Sequence, residues 1–251
     1  MVVNYANCRS LYAGIQVCRL KGMSTLYLVA TPIGNLGDIT YRAVETLRSV
    51  SVIACEDTRH TQQLLAHYEI SGRLIATHAH NEEASAKGII AMLAQGQTVA
   101  FVSDAGTPAL SDPGSRLVEA VRNAGFPVVP IPGASAFTAL VSVAGRVGKS
   151  ITFEGFLSPK SGRRRGRLAA LLEHGEAFVI YESPFRVVKT LAELADLAPT
   201  RKVVVGREMT KKFEEFIIGE ASEVAARLAE RETVKGEFAL LVGPAGDDDD
   251  T

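Results

Sequence analysis

The sequence predicts an α/β protein built in two parts, each with its own β-sheet. In the first half, short apolar runs alternate with helical stretches, an order typical of a mostly parallel sheet with helices on both faces. After Gly145 the pattern changes, and two closely spaced apolar runs at 203–206 and 213–218 predict a hairpin within a mixed sheet. The chain is therefore expected to divide between residues 133 and 150.

The individual elements follow from runs of apolar residues bounded by turn and capping signals. Glu82 to Ala94 is predicted as a helix because Asn81 is a good N-cap and Gly96 a good C-terminal glycine. The predicted strands are Leu26–Thr31, Val52–Cys55, Arg73–Thr77, Thr98–Val102, Val128–Ile131, Phe178–Tyr181, Val203–Gly206, Phe213–Ile218 and Phe238–Val242. The predicted division is an N-terminal extension 1–22, a first α/β domain 23–135, a second α/β domain 136–243 and an acidic tail 244–251.

Composition excludes several classes of protein. The 251 residues are 47% hydrophobic and carry a net charge of −1, so a sizeable core is expected and nucleic acid would have to bind through a local patch. No apolar stretch reaches the ~18 residues of a membrane span. Three scattered cysteines fit neither a disulfide framework nor a zinc site, so we expect a reducing cytoplasm.

Three loops at the ends of predicted strands are rich in Pro, Gly and small residues: 30–38, 103–114 and 131–136. In the middle loop, capping explains Asp112 and Pro113, because Asp is a preferred N-cap and Pro suits the first helical position. Capping does not explain the rest of that loop. Ligands of open α/β sheets bind at the carboxyl ends of strands, so the three loops predict a ligand cleft. A long capped turn is the alternative.

Several motifs between about residue 24 and residue 243 resemble one family. They are LVATPIGNLGDIT at 28–40, CEDTR at 55–59, SDAGTPALSDPG at 103–114, PGASA at 132–136, YESPFR at 181–186, GREMTK at 206–211 and GEFA at 236–239. The chain resembles the ribosomal RNA small subunit methyltransferase I family, within the tetrapyrrole methylase superfamily. The resemblance implies a class III methyltransferase of two α/β domains with a cofactor cleft between them, usually a homodimer. It implies methyl transfer from S-adenosylmethionine to a cytidine ribose 2′-oxygen in the 16S rRNA decoding centre of the small ribosomal subunit.

The resemblance also assigns cofactor contacts to the predicted cleft. The loop after the fourth strand would wrap the methionine part, and the second domain would help to hold the adenosine part. The expected cofactor-binding residues are Pro32, Gly34, Ala105, Gly106, Thr107, Pro108, Ala109, Leu110, Ser135, Ala136, Tyr181 and Ala239.

A carboxylate is a candidate to remove the proton from the ribose hydroxyl. The candidates are Asp57, Glu56 and Glu182, and the sequence does not choose among them. A structural reading stays open for the first two, since Asp57 or Thr58 can cap a helix and Arg59 can pair with Glu56.

Lys160 to Arg167 holds five positive charges in eight residues, which favours an RNA-contacting flap over a solvated loop. The expected RNA-binding residues are Arg59, His80, Lys160, Arg163, Arg164, Arg165, Arg167, Arg186 and Lys211. His78 and His80 lack a third ligand nearby, so no metal site is expected.

Two other functions stay open at this stage. One is methylation of a small corrin or porphyrin precursor, against which the basic run and the CEDTR motif argue. The other is a non-catalytic RNA-binding module that keeps a cofactor cleft. Members of the family often carry an extra helical region after the second domain, whereas this chain ends soon after Val242.

Overall fold

A computed structural model describes residues 24–77 and 82–246, with the side chain of Glu82 left out. The predicted N-terminal extension, the His78 and His80 pair, the Asn81 cap and most of the acidic tail lie outside the described residues. No helix in the described ranges is both long enough and apolar enough to cross a membrane.

The first sheet has five strands, all parallel, as predicted. The strands are β1 (Leu26–Val29), β2 (Val52–Cys55), β3 (Leu74–Ala76), β4 (Val99–Val102) and β5 (Val128–Ile131), in the order β3-β2-β4-β1-β5. Four helices connect or follow them: α1 (Tyr41–Ser49), α2 (Thr58–His67), α3 (Glu82–Ala94) and α4 (Ser115–Asn123). Apolar side chains of α1 and α2 pack on one face and those of α3 and α4 on the other, so both faces are covered.

The second sheet is mixed, as predicted. It is formed by β6 (Ile151–Phe156), β7 (Ala177–Glu182), β8 (Lys202–Arg207), β9 (Glu215–Glu220) and β10 (Phe238–Val242), in the order β6-β7-β10-β8-β9. Strands β8 and β9 form the predicted antiparallel hairpin, and only β6 and β7 run parallel. One face packs on α6 (Ser161–Glu173), α7 (Val187–Leu197) and α8 (Ala221–Ala229), and the other on α5 (Ala136–Val143).

Strand β6 was missed by sequence analysis. Its residues do alternate, but Gly155 has a φ of +70° and lies where the register with β7 shifts, so the alternation is interrupted by a bulge. The domain boundary at residues 135/136 stays a prediction. Helix α5, which begins at Ala136, packs against the second sheet and not the first.

Candidate functional site

The loop between β4 and α4 has a special backbone along most of its length. Gly106, Ala109, Ser111 and Gly114 all have positive φ angles, of 76°, 68°, 60° and 125°. Two of the four are not glycines, and such residues enter this region at a cost of about 1–3 kcal/mol each unless the surroundings compensate. The high Pro and Gly content of this segment thus serves a tightly defined loop conformation.

The capping interpretation of this loop is wrong in one respect. Helix α4 begins at Ser115 with Gly114 as its N-cap, and no side chain caps it. Asp112 therefore does not cap the helix, because a positive-φ turn at Gly114 separates the two. The Asp112 side chain is therefore available for a role other than capping.

Hydrogen bonds tie this loop to the other two Pro- and Gly-rich loops. Thr31 and Gly106 exchange two backbone hydrogen bonds of 2.9 and 3.1 Å, and the Thr107 hydroxyl donates to the Ala134 carbonyl at 3.2 Å. A Cβ atom on Gly106 would lie 3.3 Å from Ile33 Cγ2, so the loops approach closely there. The three loops meet at the carboxyl edge of the first sheet, as their positions after strands predicted.

The second sheet closes this edge into a cleft of about 380 Å³. Small-molecule sites commonly have volumes of about 300–1,000 Å³. The loops of the first half and the start of α5 contribute Ile33, Ala105, Gly106, Thr107, Leu110, Ser111, Asp112, Ser135 and Ala136. The opposite wall is formed by Phe156, Tyr181, Glu182, Ser183, Pro184, Met209, Glu237, Phe238 and Ala239.

Eight of the twelve residues expected to bind a cofactor line this cleft: Ala105, Gly106, Thr107, Leu110, Ser135, Ala136, Tyr181 and Ala239. The other four, Pro32, Gly34, Pro108 and Ala109, do not line it. Pro32 and Pro108 are buried, and Gly34 is exposed, but a Cβ atom there would collide with the aliphatic stem of Lys211 from the second half of the chain. These four shape the loops around the cleft, and cofactor contact by the eight stays a prediction.

Several residues of the lining were not predicted from the sequence. Ile33 was passed over between the expected Pro32 and Gly34, and Asp112 was assigned to capping. Phe156 belongs to the strand that was not recognised. The signal that points to Phe156 is its position one residue after the bulged Gly155, since bulges often re-aim side chains next to sites.

Two titratable groups face each other across the cleft. Burial raises the pKa of Asp112, the charge of Asp104 adds to the rise, and a hydrogen bond with the Ser103 hydroxyl opposes it. Burial also raises the pKa of Tyr181, and the Asp112 charge acts in the same direction. A carboxylate with a raised pKa in a cleft is a candidate proton acceptor.

Ser135 adds a buried polar group to the same lining. It is only 8% exposed. Its hydroxyl interacts with the Tyr181 hydroxyl, but without the geometry of a full hydrogen bond, and it has no other partner among the described residues. A buried hydroxyl of this kind is suited to a polar group of a ligand.

The structure contradicts a proton-accepting role for Glu182. Its side chain is fully buried, and the Arg186 guanidinium lies 2.7 Å from Oε1. The Ser183 backbone N–H also donates to Oε1 at 2.8 Å, and the Thr190 hydroxyl donates to Oε2 at 2.9 Å. With both oxygens engaged, the carboxylate positions the turn before α7, and Glu182 borders the cleft without presenting a free base.

Asp57 is a helix cap, the structural alternative that the sequence left open. Its carboxylate accepts from the Arg59 backbone N–H at 2.8 Å and pairs with the Arg59 guanidinium at 3.2 Å. These hydrogen bonds lower the pKa of Asp57, which makes it a weaker base. Neither Asp57 nor Glu56 lines the cleft.

The basic run is helical, so the prediction of a flap is wrong. Residues from Ser161 onward form the first turns of α6. Arg164 is 3% exposed and forms two hydrogen bonds of 2.8 and 2.6 Å with Glu193, so it is not available to RNA. Helical periodicity explains the outcome, because one side chain in every turn must face the core.

The remaining cations of this run differ in their partners. Arg165 pairs with Asp196 at 3.2 Å, and Arg167 forms a bidentate pair with Glu154 at 2.8 and 2.7 Å. Lys160 and Arg163 are exposed, and their side chains form no ion pair with any described residue. These two are therefore the cations of the run best placed to meet phosphate.

The other expected RNA contacts are also paired. Arg186 is committed to Glu182, and Lys211 lies 3.1 Å from Glu208 and 3.0 Å from Glu237. Arg59 is paired with Asp57 but keeps a highly exposed side chain. No cluster of three or more potential metal ligands occurs in the described part of the chain.

Comparison with known proteins gives consistent results. A family model described as Tetrapyrrole (Corrin/Porphyrin) Methylases matches residues 25–225. The ribosomal RNA small subunit methyltransferase I of Neisseria meningitidis serogroup B is 48% identical over 225 residues, covering 89% of this chain and 77% of that protein. The protein of the same name from Borrelia garinii subsp. bavariensis is 49% identical over 218 residues, covering 86% of this chain and 97% of that protein.

Solved structures share the architecture. The uroporphyrin-III C-methyltransferase of Thermus thermophilus, solved with S-adenosylhomocysteine, matches with a TM-score of 0.63 and 18% identity, covering 88% of this chain and 97% of that chain. At this identity the likeness concerns the fold alone. It confirms the predicted α/β fold class.

Proposed function

Because the chain belongs to the ribosomal RNA small subunit methyltransferase I family of the tetrapyrrole methylases, we propose that it methylates a cytidine ribose 2′-oxygen in 16S rRNA. The methyl donor is S-adenosylmethionine, and the target lies in the decoding centre of the small ribosomal subunit. The observation that carries this proposal is the cleft between the two sheets, in which Asp112 faces a lining suited to a small ligand.

The lining fits S-adenosylmethionine in its chemistry. Ala105, Gly106 and Thr107 offer small side chains and closely approached backbone, which suits a sulfonium because carbonyl oxygens can meet it. The buried Ser135 hydroxyl and Tyr181 are polar groups of the lining that suit hydrogen bonds to the adenosine part. When bound, this cofactor supplies a methyl group on sulfur that is activated for in-line displacement.

The chain itself must orient the ribose and accept one proton. Positioning supplies much of the rate of an in-line displacement, and the two walls of the cleft provide it. As the 2′-oxygen bonds to the methyl carbon, the hydroxyl proton must leave, and we assign its acceptance to Asp112. Its pKa is raised by burial, which makes it a stronger base than an exposed aspartate. Asp57 and Glu182 are not assigned this role, because their carboxylates are engaged by other hydrogen-bonding partners.

Three matched carboxamide variants test that assignment. Asp112→Asn is expected to lower methyl transfer by ~10²–10⁴-fold while S-adenosylhomocysteine still binds. Asp57→Asn and Glu182→Gln should lose stability, through the cap and the buried pair, but keep transfer per folded molecule within a few fold. Normal transfer by Asp112→Asn, or a large loss confined to one of the other two, would move the base elsewhere.

The reaction itself is tested with small subunits that lack the modification. Tritiated methyl groups should pass from S-adenosylmethionine to one nucleotide of 16S rRNA, which is then mapped. A subunit reconstituted with 2′-deoxycytidine at that nucleotide should accept none, because the 2′-hydroxyl is absent. Labelling of the deoxy subunit at that nucleotide would contradict the ribose assignment. Labelling of a corrin or porphyrin precursor in place of RNA would favour the small-molecule alternative.

We extend the proposal to assembly and location. The family resemblance implies a homodimer, which light scattering of the full chain would detect as twice the 26.8 kDa chain mass. A cytoplasmic location follows from the ribosomal substrate, and the free, buried thiol of Cys55 fits a reducing compartment.

A further inference from the structure

Two phenylalanines are exposed beside the cleft, where apolar side chains need an explanation. Phe156 is 57% exposed although it lines the cleft, and Phe185 is 90% exposed directly after the lining residue Pro184. They follow or end the adjacent parallel strands β6 and β7, and Arg186 Nη1 donates to the Leu157 carbonyl at 3.3 Å. The two rings therefore belong to neighbouring segments at one edge of the second sheet.

Other aromatic side chains support the ring of Phe156. It packs edge-on against Tyr181 with the ring centroids 5.7 Å apart, and Tyr181 packs against Phe153 at 5.0 Å. The preceding Gly155 is in close contact with Ser111 of the opposite wall, where a Cβ atom would collide with the serine hydroxyl. This support fixes one aromatic ring at the border between the cleft and solvent.

We propose that Phe156, with Phe185 beside it, forms a stacking surface for the base of the nucleotide that is methylated. This inference rests on the proposed function. Enzymes that act on a base extrude the target nucleotide from its stack, and a ribose that enters this cleft would bring its base to the mouth in the same way. Extruded and single-stranded bases stack on aromatic side chains of proteins. The exposed ring at the mouth is the surface that such a base would meet.

Two cations that form no ion pair with a described residue follow Phe156 closely along the chain. Lys160 is four residues after Phe156, which limits the distance between their Cα atoms to about 14 Å. Arg163 lies in the first turn of α6. We therefore expect phosphates that flank an extruded nucleotide to meet these two cations. The paired Arg165 and Arg167 are not needed for this contact.

The first test measures Phe156→Ala and Phe185→Ala on small subunits that lack the modification. Loss of a stacking aromatic at Phe156 should lower kcat/KM by about 5- to 150-fold, with a smaller loss at Phe185. Phe156→Leu keeps an apolar side chain without a ring and should also lose activity. Phe213→Ala is the matched control, since this phenylalanine is 65% exposed but lies outside the cleft lining, and its activity should stay within twofold.

Affinity for S-adenosylhomocysteine separates the base from the cofactor as the stacking partner. Titration calorimetry should give the same affinity for wild type, Phe156→Ala and Phe156→Leu. A loss of cofactor affinity that accounts for the loss of kcat/KM would overturn the proposal, because Phe156 would then stack on the adenine.

A double-mutant cycle tests the contact directly. The small subunit is reconstituted with an abasic nucleotide at the target position that retains its 2′-hydroxyl. Wild type should lose activity on this substrate, and Phe156→Ala should lose less than twofold more, because the stacking partner is already missing. Full additivity of the two losses would refute the contact. If wild type methylates no small subunit at all, the proposed function is wrong. Normal activity of Phe156→Ala would contradict only the proposed stacking surface.

Discussion

Replacing Arg164 with alanine is expected to destabilise the fold, whereas the same change at Arg163 is expected to weaken RNA binding. The two residues are neighbours on α6 and identical in type. Arg164 is enclosed by Glu193, to which it donates at 2.8 and 2.6 Å, and by the Pro159 carbonyl at 3.4 Å. Arg163 is exposed and its side chain has no partner among the described residues.

The size of the Arg164 effect follows from what is left behind. Removing one partner of a buried ion pair costs about 3–5 kcal/mol, because the other charge stays buried. The Glu193 side chain is 14% exposed and keeps the Ser161 hydroxyl as a donor at 2.7 Å, which places the loss near the lower limit. For a chain of this size, about 3 kcal/mol lowers the thermal midpoint by about 6–12 °C.

The Arg163 effect has a different signature. An exposed substitution should change the free energy of unfolding by no more than about 0.5 kcal/mol. RNA affinity should fall about equally for all sequences, and the slope of its logarithm against the logarithm of salt concentration should decrease by about 1. Arg165→Ala serves as a control of intermediate exposure.

Thermal unfolding and filter binding of RNA over a salt series measure both effects on the same preparations. Equal stability of the two variants would refute the assignment of Arg164 to the core. An unchanged salt slope in Arg163→Ala would remove that residue from the RNA surface. A triple replacement of residues 163–165 would combine the two effects and cannot separate them.

Three further outcomes follow from the structure. Thr107→Arg or Ala136→Trp should fill the cleft and abolish the stabilisation by S-adenosylhomocysteine, which for wild type is ~2.7 kcal/mol at 100 times the dissociation constant; a normal thermal shift in both would place the cofactor elsewhere. Burial alone would raise the pKa of Glu193, but its hydrogen bonds with Arg164 and Ser161 lower that pKa. The ionised carboxylate therefore stabilises the fold above its unfolded pKa of ~4.3. Acid titration of unfolding should show this stabilisation being lost as the pH falls below that value. Gly114 and Gly125 both have positive φ, but only Gly114 has no room for a Cβ atom. Urea unfolding should therefore show a larger loss of the free energy of unfolding for Gly114→Ala than for Gly125→Ala. Equal losses would show that the close contact at Gly114 is unimportant.

The fold class and the position of the cleft were predictable from the sequence. The apolar runs from Leu26 to Ile131 indicated five strands, and loops that follow parallel strands must gather at one edge of the sheet. Strand β6 was not predictable in the same way. Its bulge at Gly155 breaks the period on which strand prediction depends, and with it Phe156 was overlooked.

The roles of charged residues were decided by tertiary structure. Asp57 and Glu182 were candidate bases from the sequence, but the first is a helix cap and the second a buried partner of Arg186. Asp112, which the sequence assigned to capping, lines the cleft instead, because Gly114 takes over the start of α4. Local sequence determines where a strand or helix begins, through period and capping. Which carboxylate is buried against a partner and which one lines the cleft depends on residues far along the chain, and only their packing settles it.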